Sequence, residues 1–170
     1  KLTHFTPSRI NSLIDTKKNS LLLKAVLPKI TYGEFNLDSI KLDVENKQKE
    51  LGYKLTINQI QHPSIALFNT ELSGVAKDNH LDVNIFLRDR QRKDKYVIAG
   101  MFQSIDRNFR FNLIPEKLLL DYEKWNVAEG NFIQFGKSGI LAHQFNLSQN
   151  NQSLLINSLN NQPNSPLKLE

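Results

Sequence analysis

Apolar and polar residues alternate with a period of two along most of this chain, the pattern of half-buried β-strands. In LDVNIFLRDR, Leu81, Val83, Ile85 and Leu87 point one way, while Asp82, Asn84, Phe86 and Arg88 point the other. KYVIAGMFQSI sets Tyr96, Ile98, Gly100 and Phe102 against Val97, Ala99 and Met101, so both of its faces are apolar. RNFRFNLI places Phe109, Phe111 and Leu113 opposite Arg110 and Asn112. Between the first two runs, Arg88 to Lys95 reads as the solvated connection of an antiparallel hairpin.

Upstream, SLLLKAVLPKI keeps Leu21, Leu23, Ala25 and Leu27 in phase, and LGYKLTINQI does the same for Leu51, Tyr53, Leu55 and Ile57. PSIALFNTELSG is a further strand, and 46–50 and 77–80 read as polar turns. EFNLDSIKLDVEN carries Phe35 and Leu37 in one phase and Ile40, Leu42 and Val44 in the other, so a bulge is expected near Asp38 or Ser39. Downstream come NFIQFG, GILAHQFNLS and QSLLINS. PEKLLLDYEKW predicts one short helix over 115–125, because Pro115 suits a first turn and Leu118, Tyr122 and Trp125 recur at helical spacing. The proline-broken tail, 161–170, reads as a linker or an edge.

The sum is an all-β unit over 1–160, a meander of about nine strands with one short helix, in which consecutive strands pair with each other. Two architectures satisfy that pattern. One is a long antiparallel sheet folded into an open trough; the other is a closed β-sandwich in which the same apolar residues pack against one another.

Composition narrows the chemistry more than the fold. With 170 residues and 39% hydrophobic side chains, the chain can bury one core. A net charge of +5 permits anionic partners without distinguishing among them. The absence of cysteine excludes a disulfide framework and a thiolate metal site. The N-terminal KLTHFTPSRINSLID has no apolar signal region, and no run approaches the ~18 apolar residues of a membrane span. His4, His62, His80 and His143 are scattered, with no pair at metal-ligand spacing. No phosphate-binding glycine loop and no nucleophile motif occurs, so a non-enzymatic protein without cofactor or metal is expected. RDRQRKDK holds five cationic residues and two Asp. The aromatics nonetheless align with Leu, Ile and Val rather than with these charges, so no nucleic-acid partner is expected.

The ordered series LSGVAKDNHLDVNIFLRD, KDKYVIAGMF and FRFNLIPEKLLLDYEKWNVAEGNFIQFGKSGILAHQFNLSQNNQSLLINS resembles the periplasmic repeat region of TamB-like translocation and assembly module proteins, within the wider AsmA-like superfamily. It is most similar to their Bacteroidota members. Three features carry the resemblance across about residues 50 to 158. They are a Leu-x-Gly ahead of alternating strands, a Trp-Asn-Val after a leucine-rich turn, and an N-x-I-x-F-G hairpin leading into NNQSLLINS.

The resemblance implies a β-taco, a long sheet folded lengthwise into a trough that is greasy inside and polar outside. Family members are anchored in the inner membrane and extend across the periplasm. They are associated with moving phospholipid toward the outer membrane and with assembling outer-membrane β-barrels beside a BamA-like partner, TamA. This chain would be an internal segment, meeting neighbouring segments of its own chain at its sheet edges. The groove for phospholipid acyl chains would be lined by Leu81, Val83, Ile85, Leu87, Tyr96, Ile98, Phe102, Phe109, Phe111, Leu113, Phe145 and Leu147. The alternative role is a scaffold that captures barrel strands by β-augmentation. Trp125 and the Leu118 to Leu120 turn would either fold over the trough or close an ordinary core.

Elementary energetics fits a trough. An acyl chain of ~16 carbons exposed to water costs about 0.8 kcal/mol per methylene, on the order of 12 kcal/mol in all. A continuous apolar surface removes most of that cost and requires no catalytic residue.

Overall fold

The computed structural model describes residues 2–47 and 49–170; Lys1 and Gln48, the latter inside the turn expected at 46–50, lie outside the described residues. Alternation is realised as strands almost everywhere. A large antiparallel sheet contains β1 (Leu2–Phe5), β2 (Arg9–Asp15), β3 (Ser20–Tyr32), β4 (Phe35–Lys47), β5 (Glu50–His62), β6 (Ile65–Lys77), β7 (His80–Arg88), β8 (Asp94–Ile105), β9 (Asn108–Leu120), β10 (Glu123–Lys124), β12 (Phe132–Gly136) and β13 (Gly139–His143). Its order is β1-β3-β4-β5-β6-β7-β8-β9-β12-β13, with β2 sharing the free side of β3 and β10 pairing with β9. A small sheet of four strands contains β11 (Asn126–Val127), β14 (Phe145–Gln149), β15 (Gln152–Ser158) and β16 (Leu167–Leu169). The two ends of the large sheet do not pair with each other, so the meander stays open.

Strand length is uniform where the chain is most regular. β3, β4, β5 and β6 each span 13 residues, and successive strands begin at residues 20, 35, 50, 65 and 80. Later turns are primed hairpins: Asp78-Asn79, Asp106-Arg107 and Asp121-Tyr122 all have positive φ at both positions. That geometry matches the twist of the flanking strands.

The helix expected over 115–125 does not form. β9 runs on through Pro115 to Leu120 and turns at Asp121-Tyr122 (φ 51° and 70°) into β10. Proline is accommodated because the ladder with β8 jumps from Gly100↔Leu113 to Ile98↔Leu118, leaving residues 114–117 outside regular pairing. The helical spacing of Leu118, Tyr122 and Trp125 is coincidental. Leu118 is buried, Tyr122 packs with Lys93 and Lys95, and Trp125 packs against the core.

The expected bulge at Ser39 is also something different. The β3–β4 register is the same on both sides of it (Leu27↔Ile40, Lys29↔Asp38), so no residue is inserted; instead Ser39 adopts φ 54°. The β4–β5 and β5–β6 ladders skip Asn58 and Asn69 in the same way, Asn69 with φ 46°, and the β6–β7 and β7–β8 ladders shift near the same level, the β8–β9 ladder a few residues farther along. From β3 to β8 these interruptions fall on one line across the strands, a crease in the pairing.

GILAHQFNLS, which reads as one strand, is two. The chain leaves the large sheet after His143, turns at Gln144 (φ 45°) and enters the small sheet at Phe145. There Val127, Phe145 and Leu147 pack on Leu113 and Leu118 to form the main core, with Ile98, Phe111, Trp125, Ile133 and Ile156 around it. Elsewhere burial is sparse. Among the described residues no large side chain is fully buried, which rules out a closed sandwich along the whole sheet.

A buried amide secures this junction. Asn131 accepts a 2.8 Å hydrogen bond from Leu113 N–H through Oδ1, and donates through Nδ2 to the carbonyls of Leu113 (3.0 Å) and Ala128 (2.9 Å). It occupies the place of a missing strand neighbour. Asn131→Ala would strand two buried backbone groups of Leu113 and is expected to lower stability by about 2–3 kcal/mol. Urea denaturation measures this directly; a loss below about 0.5 kcal/mol would contradict the pinning role.

Candidate functional site

The candidate site is the apolar face of the large sheet, the most continuous apolar surface that the strand register creates. Residues directly opposite one another in neighbouring strands project from the same face. The register therefore defines a row Ile10–Ala25–Leu42–Leu55–Leu72–Ile85–Ile98–Leu118, crossing eight strands without a polar member. At ~4.8 Å per strand the row is about 34 Å long, roughly twice the ~15 Å of one leaflet of a bilayer's hydrocarbon core. A second row, Leu51–Ala76–Leu81–Phe102–Phe111–Ile133–Ala142, runs parallel to it. Beyond the crease lies a third, Phe5–Ile30–Leu37–Ile60–Leu67.

Exposure along the first row is uneven. Ile10 is 65% exposed at the β2 end, Ala25 beside it is buried, Leu42, Leu55, Leu72, Ile85 and Ile98 are half-buried, and Leu118 at the far end is 5% exposed beneath the small sheet. The small sheet covers the Leu118 end, and Ile10 alone of these eight is freely exposed. Phe109 and Phe135 pack at 5.9 Å beside Leu81 and Phe102 around a concavity of about 350 Å³, with His80, Gln103 and Ser104 also lining it.

All ten sequence-predicted groove residues from Leu81 to Leu113 project from this face. Ile85 and Ile98 stand in the first row, Leu81, Phe102 and Phe111 in the second, and Leu87 faces Tyr96. Val83 pairs with Gly100, which in turn pairs with Leu113, and Phe109 extends the same side of β9. Phe145 and Leu147 come from the small sheet and, with Leu113, lie in the covered core. Sequence reasoning did not assign Ala25, Leu42, Leu55, Leu72 or Phe135 to the groove. Their period-two phase was visible, but the phase switch at Ser39 obscured which way β3 to β6 face.

Gly100 is required at the floor of the band. A Cβ there would lie 2.4 Å from the Phe111 ring and 2.7 Å from the Asn112 carbonyl oxygen. Phe111 leans across that space and meets Phe102 at 4.6 Å between ring centroids, so the aromatic pair covers the bare backbone.

The opposite face is held by charge. Lys54 and Glu71 meet at 3.0 Å across β5 and β6, and Lys24 and Asp43 at 4.0 Å across β3 and β4. The hairpin at Arg88–Lys95 is tied down rather than free: Arg88 Nε donates to Asp94 at 2.8 Å, Tyr122 Oη donates to Asp89 at 3.0 Å, and Lys95 pairs with Asp121 at 3.3 Å. Among the described residues no group of three or more His, Asp or Glu converges as metal ligands. Compared with family models, curated proteins and solved structures, the chain matches none.

The ion pairs make a prediction. Partial burial pushes the Glu71 carboxyl up, but the Lys54 ammonium, Ser73 Oγ and Arg88 outweigh it and hold the group below its ordinary value. Depression in the folded state means the stabilisation is present above the unfolded carboxylate pKa and is lost as pH falls through the folded one. Stability should therefore decline below about pH 4, and Glu71→Gln should be less stable at neutral pH with a shallower acid decline. Equal pH slopes in the two proteins, read from urea midpoints, would exclude the assignment.

Proposed function

We propose that the apolar face of the large sheet is a groove for phospholipid acyl chains, and that the chain is a non-enzymatic, periplasmic segment of a TamB-like, inner-membrane-anchored envelope protein. The uninterrupted Ile10-to-Leu118 row carries this reading. Soluble domains bury such a surface or leave it in small patches; a continuous, mostly half-buried apolar band of this length supports a binding role. Its opposite face is ion-paired over β3 to β6, as a water-facing outer wall requires, and carries the shorter apolar row Phe86–Val97–Leu119 over β7 to β9. Headgroups would remain in solvent along the open side, and the covered end at Leu118 would set where an acyl chain must leave this segment. Partners such as TamA would bind other parts of the full-length protein.

The scaffold reading, capture of barrel strands by β-augmentation, draws support from the unpaired side of β2. It leaves the apolar row without a role, which is why the lipid reading is preferred.

The test is detergent-free purification followed by native mass spectrometry and lipid extraction. Wild-type protein should carry phospholipid or acquire it from vesicles. Ile85→Asp, which puts a carboxylate into the row, should reduce bound lipid about tenfold or more. Asn84→Asp, one residue away on the opposite face, should leave it unchanged. Lipid-free wild-type protein, or equal loss in both folded variants, would overturn the reading.

A further inference from the structure

The two edges of the large sheet differ. β13 is covered along its outer side by the chain's own tail: Asn164 N–H donates to the Ile140 carbonyl (2.9 Å), Asn164 Nδ2 to the Ser138 carbonyl (3.2 Å), and Ala142 N–H to Ser158 Oγ (3.0 Å). At the other edge β2 pairs with β3 on one side, and among the described residues nothing pairs with its other side. Ile10, Leu13 and Ile14 are 65%, 64% and 68% exposed there. Neither a proline nor a bulge protects the seven-residue strand. Such an edge is a template for another strand.

The sequence of β2 states which strand. Arg-Ile-Asn-Ser-Leu-Ile-Asp, reversed about Ser12, is complementary to itself at its outer two positions on each side. Antiparallel pairing of two copies in that register places Arg9 opposite the second copy's Asp15, Ile10 opposite its Ile14 and Asn11 opposite its Leu13, each twice, with Ser12 on the twofold axis. Ile10, Ser12 and Ile14 face the same side as Ala25, Leu23 and Leu21, so the isoleucine pairs would join the apolar rows of the two molecules. Arg9 and Asp15 lie on the opposite side, where the sheet already carries cross-strand ion pairs. Moving the centre to Asn11 or Leu13 loses the ion pairs and the isoleucine pairs together.

We infer that two copies of this chain pair edge to edge through β2, antiparallel about Ser12, extending one apolar face across both molecules. Because β13 is blocked by its own tail, the contact closes as a twofold dimer and does not propagate into a filament. Seven residues per strand form a small interface, so the dimer is weak and concentration-dependent. This inference does not depend on what the apolar face carries; it assigns the β2 edge to a second copy, in place of the neighbouring segment of the same chain that the proposed function would put there.

Sedimentation velocity from micromolar to about 1 mM protein should show monomer passing to dimer and stopping there. Arg9→Asp and Asp15→Arg should each weaken dimerisation by about tenfold, since two attractive pairs become two repulsive ones. Mixing the two variants should restore association as a heterodimer, because both cross-strand pairs between positions 9 and 15 then join opposite charges again. Asp15 Oδ1 also accepts the Lys17 and Lys18 backbone N–H groups of the following turn, so circular dichroism must show that Asp15→Arg is folded. If it is not, Ser12→Cys in this otherwise cysteine-free chain provides the test. It should oxidise to a disulfide dimer, while Ser138→Cys at the opposite edge should not. Persistent monomer, open-ended growth, failure of the mixture to recover, or a monomer that binds only an added barrel-strand peptide would each overturn the inference.

Discussion

Twelve strands share one apolar face, and only four strands are available to cover it. That imbalance governs the rest of the structure. Where the small sheet lies over the large one, Leu113, Leu118, Val127, Phe145 and Leu147 make an ordinary core. Toward β2 the core does not extend and, apart from the buried Ala25 and Ile40, cohesion rests on backbone ladders and on cross-strand pairs, each worth a fraction of a kcal/mol to about 1 kcal/mol. Hydrophobic burial therefore anchors one end of the molecule, while hydrogen-bonded pairing carries the structure away from it.

The two faces of the large sheet divide the requirements of such an arrangement. The wet face gains lateral cohesion from Lys54 with Glu71 and Lys24 with Asp43, and these charges also discourage stacking of that face on another molecule. The greasy face gains little from its own sheet, because residues in a row touch only their immediate neighbours. An apolar guest laid along the row would complete their contacts.

Much of this was legible in the sequence because a period of two survives without an alignment. Leu81 to Leu87 and Phe109 to Leu113 announced both their strands and their common face. The failures have local causes. Leu118, Tyr122 and Trp125 mimic a helix, and the tight hairpin that forms instead turns at Asp121-Tyr122, where positive φ at a tyrosine leaves no signature in the sequence. The phase change at Ser39 was visible in one strand, but the crease to which it belongs emerges only when Pro28, Ser39, Asn58 and Asn69 are set side by side by the register. β1 and β2 were missed because LTHF is too short to show a period and Leu13, out of phase with Ile10 and Ile14, hides the one in RINSLID. Asn131 stood in the N-x-I-x-F-G hairpin, but its grip on Leu113 depends on a contact 18 residues away that spacing cannot reveal.

The equal strand lengths from β3 to β6 have a consequence of scale. Strands starting at 20, 35, 50 and 65 make each hairpin a unit of 30 residues. Each unit lengthens the sheet by two strand spacings, about 9.6 Å. Removing or duplicating one such unit leaves every neighbouring register, both faces and the crease in place. The dimension of the sheet is thus written in the chain as a whole number of modules, and a protein of this kind can be fitted to a gap of given width by counting hairpins, without redesigning any one of them.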